Sequence, residues 1–545
     1  MPELRYRPCV RKSLGCALLF ALLALVHTWP LAAAPATLSR NDAPDALLNE
    51  WIVAWVAHQA VHDPAHLFDA NIFYPERHTL AYSEYLIAPA AMGAPLEWAG
   101  VSPVLEYNLL LLAGFTLTAW ATCFAVVRWT GDLAAGVVAG TLVAFNAHTL
   151  TRLPHLQALH FEFFPLALYA FDRVLEAAPP VRFRHAALLA ACIALQGLTS
   201  YYSLVFLTVS LGVALLVRPE AWRADRAAMV LRRLAVAAAL TAIVMLPFLA
   251  MYVGVGEVRL LDEVARDSAT WRDYLNTPAR VHAAWSAHFY GGASALYPGV
   301  VAIALTSIAM ASGVAFRDAR ARMVLAFGVA GVALSFGPAL PGYATLYHLL
   351  LPMQGIRSAA RFGYLGIVST AVLSGYGVAE LRRRWPGRRW WPAAIAGLLA
   401  VATADVLAAP IDYVSATPIP RLAKTLRGST AVVVHIPFFT ADRVFHNAEY
   451  LLQSTANWRP MLNGYSGIVP DSYAAHARGL QNFPARDAID ELRQLGVTHV
   501  WVHDRLLRDW TDDRTADAVP HSPGLQVLGL EGDLALYRVR RADEE

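Results

Sequence analysis

Long apolar runs alternate with short charged segments along most of the chain. Each run is near the roughly 20 residues that a helix needs to cross a bilayer. The runs lie at 13–26, 103–127, 132–150, 155–172, 185–200, 202–217, 233–253, 297–315, 322–340, 361–380 and 391–408. The pattern predicts an all-α polytopic membrane protein with about eleven transmembrane helices.

Three large polar segments stand outside this pattern, at 34–102, 254–297 and 409–545. The last contains strand-like runs at 431–436 and 497–502, a helix-like stretch at 488–495 and a turn signal at Gly532-Asp533. We therefore predict a small α/β domain at its C-terminal end. The predicted division is 1–33 (tail and first transmembrane helix), 34–102 (loop), 103–408 (helix bundle with the loop 254–297) and 409–545 (α/β domain).

The distribution of arginine predicts the topology. Alternate connections between the runs are rich in arginine, and all of them fall on one side under a single orientation. These arginines are Arg128; Arg173, Arg182 and Arg184; Arg218, Arg223, Arg226, Arg232 and Arg233; Arg317, Arg320 and Arg322; and Arg382, Arg383, Arg384, Arg388 and Arg389. Basic residues also precede the first run: Arg5, Arg7, Arg11 and Lys12. The positive-inside rule then predicts a cytoplasmic N-terminus, three extracytoplasmic segments and residence in the cytoplasmic (inner) membrane.

A secretory signal peptide is the alternative interpretation of the first run. A charged start, an apolar centre and the small residues at 32–34 fit one. Both interpretations leave the segment 34–102 on the same side of the membrane.

Composition excludes several classes of protein. The chain is 57% hydrophobic and 16% charged, against about 25% charged in an average soluble domain. Its net charge of only +3 gives no field that would favour nucleic acid. Four cysteines without a CxxC pair argue against a disulfide framework or a thiolate zinc site. No GxxxxGK[ST] loop is present for ATP-driven transport.

Two carboxylates, Asp42 and Asp45, open the first polar segment. Being three residues apart directly after a membrane span, they are able to lie together at the membrane surface. Asp45 precedes an amphipathic stretch that includes Trp51 and Trp55, which predicts an interfacial helix with its tryptophans at headgroup depth. A simple helix cap is the alternative role for Asp45.

Polar and aromatic residues mix further along this segment, around Tyr74 and Glu84. Such a mixture suits a sugar, whose faces stack on rings while its hydroxyls need hydrogen-bond partners. Aromatic anchors at the membrane interface are the alternative.

Ionisable residues enter the fourth predicted span at His155 and Glu162. Because they are seven residues apart, we expect them to share a helix face and to line a polar cavity open to the outside. A hydrogen bond between helices is the alternative.

Two arginines, Arg357 and Arg361, run against the positive-inside trend and are predicted to lie outside. At a spacing of four they are able to share a helix face and bind an anionic group such as a lipid phosphate. Snorkelling to lipid headgroups is the alternative.

Together these features resemble the GT-C superfamily of membrane glycosyltransferases, which includes protein O-mannosyltransferases and aminoarabinose transferases. The resemblance rests on about eleven spans, the acidic pair after the first span and a soluble domain after the last. Large bacterial GT-C-like proteins of unassigned substrate are similar through several short strings. These are Asp45-Ala-Leu-Leu-Asn49-Glu-Trp51, Ala70-Asn-Ile-Phe-Tyr-Pro75, Leu80-Ala-Tyr-Ser-Glu84, Tyr297-Pro-Gly299, Ser358-Ala-Ala-Arg-Phe362 and Asn463-Gly-Tyr-Ser466.

The resemblance implies a sugar donor on a polyprenyl phosphate and a site on the exported side. It implies that Asp45 or Asp42 is the general base that takes the proton of an acceptor hydroxyl, with inversion at the anomeric carbon. It also implies that Arg357 and Arg361 hold the leaving phosphate. In several members the acidic pair is adjacent, whereas here two residues separate it.

The remaining implied contacts concern the acceptor or a metal. Glu84, His155, Glu162 and Tyr74 are candidate substrate-binding residues. A divalent cation, magnesium or manganese, is used by some members, and Asp45, Glu84 and Glu162 are able to supply oxygen ligands. The residues do not decide whether this chain uses one.

Two other functions stay open at this point. Acids within spans suit a proton-coupled transporter or lipid flippase, although transporters usually show inverted repeats, and no internal repeat is visible here. A non-catalytic scaffold of the cell envelope is the other. The expected partners of the glycosyltransferase are the bilayer, a polyprenyl-phosphate sugar and a glycan, lipid or protein acceptor, with no nucleic acid.

Overall fold

A computed structural model describes residues 10–176, 183–255, 259–290 and 294–544. Arg5, Arg7, Cys9 and Arg182, used in the topology and cysteine arguments, lie outside the described residues. The chain divides into two compact units. The first unit is Met1–Pro35 with Asn108–Asp412, and the second unit is Ala36–Tyr107 with Tyr413–Glu545.

The first unit is built from helices. They are Val10–His27, Pro103–Thr130 (which begins in the second unit), Leu133–Ala144, Ala147–Leu150, Leu156–Leu159, Phe163–Leu175, Phe183–Thr199, Tyr201–Leu216, Ala224–Ala250, Leu261–Arg266, Ala283–Ser286, Val300–Ala311, Val314–Arg317, Ala319–Ser335, Tyr343–Leu349, Gly363–Arg384 and Trp391–Val406. Every predicted run has a helix within it, although three runs, beginning at 132, 155 and 297, are split into two helices.

Five helical segments are long and apolar enough to cross a membrane. They are Val10–His27, Pro103–Thr130, Leu133–Leu150, Arg226–Ala250 and Ala359–Arg384. Four shorter apolar helices accompany them: Phe183–Thr199, Tyr201–Leu216, Val300–Ala311 and Trp391–Val406. The protein is therefore a multi-pass membrane protein, mostly helical.

Small residues let the helices of this unit pack closely. A Cβ atom added at Gly328 would lie 2.2 Å from the Cβ of Ser369 on the helix Gly363–Arg384. At the same crossing the Ser369 hydroxyl donates to the Val324 carbonyl at 2.9 Å. Close backbone approach and a hydrogen bond across helices are typical of association inside a membrane, where apolar burial does not drive helices together.

The second unit contains all six described strands and seven helices. The strands are β1 (Leu38–Ser39), β2 (Val414–Ser415), β3 (Val433–Ile436), β4 (His499–His503), β5 (Leu525–Glu531) and β6 (Leu534–Val539). The helices are Pro44–His62, Ile87–Trp98, Ala448–Ser454, Asp471–Gly479, Arg486–Gln494, Asp504–Trp510 and Asp513–Ala518.

A four-stranded mixed sheet in the order β3-β4-β6-β5 forms the centre of the C-terminal part. β3 and β4 are parallel, with Val434 opposite Val500, whereas β6 is antiparallel to both β4 and β5. Gly532 takes a φ of +63° in the turn between β5 and β6, which confirms the turn predicted there. The two predicted strands and the predicted helix are present at β3, β4 and Arg486–Gln494.

The sequence division into a separate loop and C-terminal domain differs from the grouping in the structure. β1 of the first segment pairs with β2, which follows the last helix, so that Leu38 faces Ser415. Asn71 donates to the Ser454 hydroxyl at 3.1 Å and to the Arg459 carbonyl at 3.2 Å. Residues 36–107 and 413–545 therefore fold together.

The helix Pro44–His62 lies in the core of this unit. Trp51 is only 1% exposed, and its indole N–H donates to Asn71 at 3.3 Å. The indole N–H of Trp55 donates to the Leu67 carbonyl, and its ring packs edge-on against Trp458. The predicted helix is confirmed, but the expectation of tryptophans at headgroup depth is wrong because both rings are buried by protein.

Candidate functional site

Asp45 lies in the first turn of the helix Pro44–His62. The N-cap residue is Ala43, and Pro44 fixes the start of the helix, so Asp45 is not its cap. The Tyr465 hydroxyl donates to Asp45 Oδ1 at 2.7 Å. Tyr465 belongs to the Asn463–Ser466 string singled out in the sequence, and the structure brings it to the acidic segment from the other end of the chain.

Asp42 has a different environment. Its two oxygens accept from Arg40, from Nε at 2.9 Å and from Nη2 at 3.0 Å, in a bidentate ion pair at the surface. Such a pair fixes the carboxylate and compensates its charge. The two acids of the motif are therefore distinguished: a guanidinium holds Asp42, whereas a neutral phenol donates to Asp45.

Glu50 is a buried carboxyl that sequence reasoning missed. Its side chain is 1% exposed, and it accepts from the Ser39 hydroxyl at 3.0 Å and from Asn41 at 3.5 Å. Burial disfavours the charged form and raises the pKa of Glu50 to about 8. Glu50 is the one charged residue in the apolar stretch 46–57, and this pattern could have indicated a buried carboxyl.

Two tyrosines complete this polar region. The hydroxyl of Tyr413 is buried without a hydrogen-bond partner among the described residues, and burial raises the pKa of Tyr413. Arg40 acts electrostatically on both Tyr413 and Tyr107. A buried phenol with an unused hydrogen bond is able to receive a polar ligand group.

Tyr74 and Glu84 also belong to the second unit. Tyr74 packs against the hydrophobic core around the sheet, and its backbone N–H donates to Met461 at 2.9 Å. Glu84 is half-buried in the turn between the 3-10 helix Thr79–Tyr82 and the helix Ile87–Trp98. Their substrate-binding roles stay predictions.

Arg357 and Arg361 meet at Tyr202 in the first unit. Arg361 lies in a 3-10 helix, Ala359–Phe362, and Arg357 precedes it, so the expected shared α-helix face is wrong. The Arg361 guanidinium carbon lies 4.6 Å from the centre of the Tyr202 ring, and the Arg357 backbone N–H donates to the Tyr202 hydroxyl at 3.1 Å. The Arg357 side chain pairs with Asp267 at 3.3 Å.

Arg361 is part of a larger basic group. His148, buried and stacked on Tyr364, is subject to the charges of Arg152, His155 and Arg361. The Nε atom of Arg361 is buried without a hydrogen-bond partner among the described residues. Two arginines act on this point, and Arg361 has a donor available, which suits an anion. Sequence reasoning found His155 and Arg361 but missed His148 and Arg152.

His155 and Glu162 do not share a helix face, which corrects the expectation. His155 precedes the short helix Leu156–Leu159, and the next helix begins only at Phe163. Glu162 is 4% exposed, and its Oε1 lies 3.0 Å from His160 Nδ1. His160 Nε2 in turn donates to the Leu110 carbonyl at 3.0 Å. This geometry matches the alternative of a hydrogen bond that ties helices together.

Within the part of the chain that the structure describes, no group of three or more His, Cys, Asp or Glu side chains is arranged to hold a metal ion. The described cysteines, Cys16, Cys123 and Cys192, are buried free thiols.

No protein-family model and no curated protein matches the sequence. Solved structures do. The oligosaccharyltransferase AglB from Archaeoglobus fulgidus, in complex with an inhibitory peptide and a dolichol-phosphate, is 13% identical, with a TM-score of 0.54 over 94% of this chain and 72% of that chain. The apo form from the same organism is 12% identical, with a TM-score of 0.49 over 91% and 70%.

ArnT from Cupriavidus metallidurans bound to undecaprenyl phosphate is 11% identical, with a TM-score of 0.49 over 97% of each chain. The first similarity, to AglB, shows the fold over nearly the full length of this chain. The predicted resemblance to GT-C membrane glycosyltransferases is therefore confirmed as a structural similarity. At this identity the similarity concerns fold alone.

Proposed function

We propose that this protein is a membrane glycosyltransferase that moves a sugar from a polyprenyl-phosphate donor to an acceptor outside the cytoplasmic membrane. The observation that carries the proposal is the GT-C fold together with Asp45, which lies in the first turn of the helix Pro44–His62 and accepts from Tyr465. The AglB structure of this fold contains a dolichol-phosphate, a lipid phosphate of the same chemical class.

The proposed topology has about eleven transmembrane helices, a cytoplasmic N-terminus and the second unit outside the membrane. Every predicted run contains at least one helix of the structure, and the five arginine-rich connections favour this orientation.

Asp45 is the proposed general base. In this step the acceptor hydroxyl gives its proton to Asp45, and its oxygen bonds to the anomeric carbon of the donor sugar. The bond from that carbon to the phosphate oxygen breaks on the opposite face, so the configuration inverts and polyprenyl phosphate leaves. We favour Asp45 over Asp42 because both oxygens of Asp42 are already bound by Arg40.

Arg361 and Arg357 are the proposed ligands of the leaving phosphate, whose charge grows as the bond breaks. Arg152 and His148, which lie in the same basic group, join this assignment. Glu84, His155, Glu162 and Tyr74 stay candidates for contact with the acceptor. Asp45, Glu84 and Glu162, expected as possible ligands of magnesium or manganese, do not form a metal-binding group among the described residues.

The first prediction tests the base. Asp45→Asn keeps the size of the side chain but cannot take a proton, so transfer should fall by roughly 10² to 10⁴. The measurement is formation of glycosylated product from a labelled polyprenyl-phosphate sugar by full-length protein in proteoliposomes.

Asp509→Asn is the control, since Asp509 is an exposed aspartate of the same unit. Transfer by Asp45→Asn equal to that by Asp509→Asn would remove Asp45 from the catalytic role. Proton flux that depends on substrate, without glycosylated product, would instead favour a transporter.

A further inference from the structure

A cavity of about 260 Å³ opens beside the acidic segment, entirely within the second unit. Three distant parts of the sequence form it: the acidic segment, the strand β2 with the residues after it, and the helix Ala448–Ser454. Its polar side chains are Asn41, Asp42, Ser415, Thr417, Glu449 and Gln453. The candidate site therefore has a recess that the C-terminal part helps to build.

The apolar wall of this cavity is firmly packed. Leu47 and Leu452 line the cavity and belong to one buried cluster. Tyr465 packs against the same cluster while it donates to Asp45. Tyr465 therefore links the wall of the cavity to Asp45, the carboxylate proposed as the base.

The charge of the lining selects among ligands. Arg40 compensates Asp42, whereas Glu449 is an exposed carboxyl whose pKa is raised by partial desolvation and by the carboxylate of Asp533. A phosphate or a carboxylate would meet like charge here and be repelled. The cavity therefore suits an uncharged polar ligand and does not suit the lipid phosphate of the donor.

Shape and chemistry narrow the ligand further. Gln453 offers a donor and an acceptor, and the hydroxyls of Ser415 and Thr417 offer both, whereas the Asn41 amide is already bound to Ser39 and Glu50. The leucines provide a surface for C–H groups. The volume lies just below the roughly 300 to 1,000 Å³ of sites for drug-sized ligands. These properties fit one hydroxyl-rich ring.

We propose that this cavity binds a single neutral sugar ring of the acceptor, with Glu449 and Gln453 contacting its hydroxyls. The acceptor is then a glycan or a glycolipid, and one of its hydroxyls is held beside Asp45. This inference deepens the proposed function and rests on it, but the cavity is testable by binding alone.

The experiment measures binding of simple glycosides to full-length protein in nanodiscs by saturation-transfer NMR. The probes are methyl glycosides of glucose, mannose, galactose and N-acetylglucosamine, together with the anionic methyl glucuronide. We expect at least one neutral glycoside to bind, and the glucuronide to bind about tenfold more weakly than the matched glucoside because of Glu449. Glu449→Gln should reduce that difference.

Two variants locate the binding. Gln453→Leu should lower the affinity for the glycoside about fivefold, the effect of one lost hydrogen bond. Gln494→Leu, at an exposed position, should leave that affinity unchanged. Thr417→Trp, which alters an exposed rim position, should block the cavity without disturbing the fold. Absence of binding by every neutral glycoside, or equal binding to Gln453→Leu and Gln494→Leu, would overturn the proposal.

The two proposals fail separately. Full transfer by Asp45→Asn, together with weaker glycoside binding by Gln453→Leu, would contradict the role of Asp45 as the base and support the sugar site. Loss of transfer by Asp45→Asn, together with no glycoside binding by the wild-type protein, would support the role of Asp45 as the base and contradict the sugar site.

Discussion

Carboxylates are used differently in the two units. In the helical first unit, Asp172 is 1% exposed and accepts from Arg218 at 2.9 Å and from Arg320 at 2.7 Å. In the second unit, Asp42 and Glu449 line a cavity, and Asp45 receives a hydrogen bond from a neutral tyrosine. Asp172 holds helices together through its two arginines, whereas Asp42 and Glu449 face a cavity that a ligand is able to enter.

This contrast bears on how ionisable residues within membrane spans are interpreted. An ionisable residue among transmembrane helices is taken by default to mark a functional site. Here Asp172 is enclosed by arginines and Glu162 by His160. These ion pairs and hydrogen bonds are a structural explanation for such acids, whereas the proposed base, Asp45, lies in the second unit.

The largest effect we expect on stability is from Asp172→Ala. The substitution leaves the partly buried guanidinium groups of Arg218 and Arg320 without this counter-ion, and the free energy of unfolding should fall by about 3 to 5 kcal/mol. The measurement is the midpoint of thermal unfolding in detergent. Asp412→Ala, at an exposed aspartate of the same unit, is the control. Equal midpoints for the two variants would contradict the structural role of Asp172 on which the contrast between the units depends.

A second effect on stability, which depends on pH, is expected from Glu50→Gln. The folded protein keeps a proton on Glu50 up to about pH 8, whereas the unfolded chain releases it near pH 4.5. Unfolding is therefore favoured as the pH rises through this window, by at most about 1.4 kcal/mol per pH unit.

Glu50→Gln removes that contribution, so its unfolding midpoint should fall less than that of the wild type between pH 5 and pH 8. Thermal unfolding at four pH values measures the difference. Parallel curves for the two proteins would show that Glu50 is ionised in the folded state.

The smallest effect is expected from Tyr465→Phe, which removes one hydrogen bond to Asp45 and keeps the ring in its apolar cluster. Transfer should fall about five- to tenfold, and the acid limb of the pH–rate profile should move to higher pH because the carboxylate loses a donor. The thermal midpoint should stay within about 1 °C of the wild type.

Tyr290→Phe, at an exposed tyrosine of the first unit, is the control. A reduced rate without any shift of the pH profile would contradict a positioning role for Tyr465.

The helices were the most predictable part of the fold. The predicted run 202–217 corresponds to Tyr201–Leu216, and 391–408 to Trp391–Val406. Apolar length is a local property, so the sequence contains it directly. Breaks inside a run depend on competing hydrogen bonds instead. The Asn146 side chain accepts from the Thr149 backbone N–H and so caps the helix Ala147–Leu150, which splits the run 132–150.

The candidate site was predicted only where its chemistry is local. The sequence singled out Asp45, but its hydrogen bond to Tyr465 joins residues 420 positions apart. The burial of Glu50 depends likewise on how the second unit closes around the helix Pro44–His62. Hydrophobic periodicity does not predict contacts between residues so far apart in the sequence. The cavity beside Asp42 was therefore not predicted.

The pairing of β1 with β2 has a consequence for how the protein is made. Leu38 leaves the ribosome early, whereas Ser415 emerges only after the last helix of the first unit. The second unit is therefore unable to close until the helices have been synthesised. In an incomplete chain Asp45 lacks its hydrogen bond from Tyr465, and the C-terminal walls of the cavity are missing. The candidate site therefore forms last, after the helices of the first unit have been inserted into the membrane.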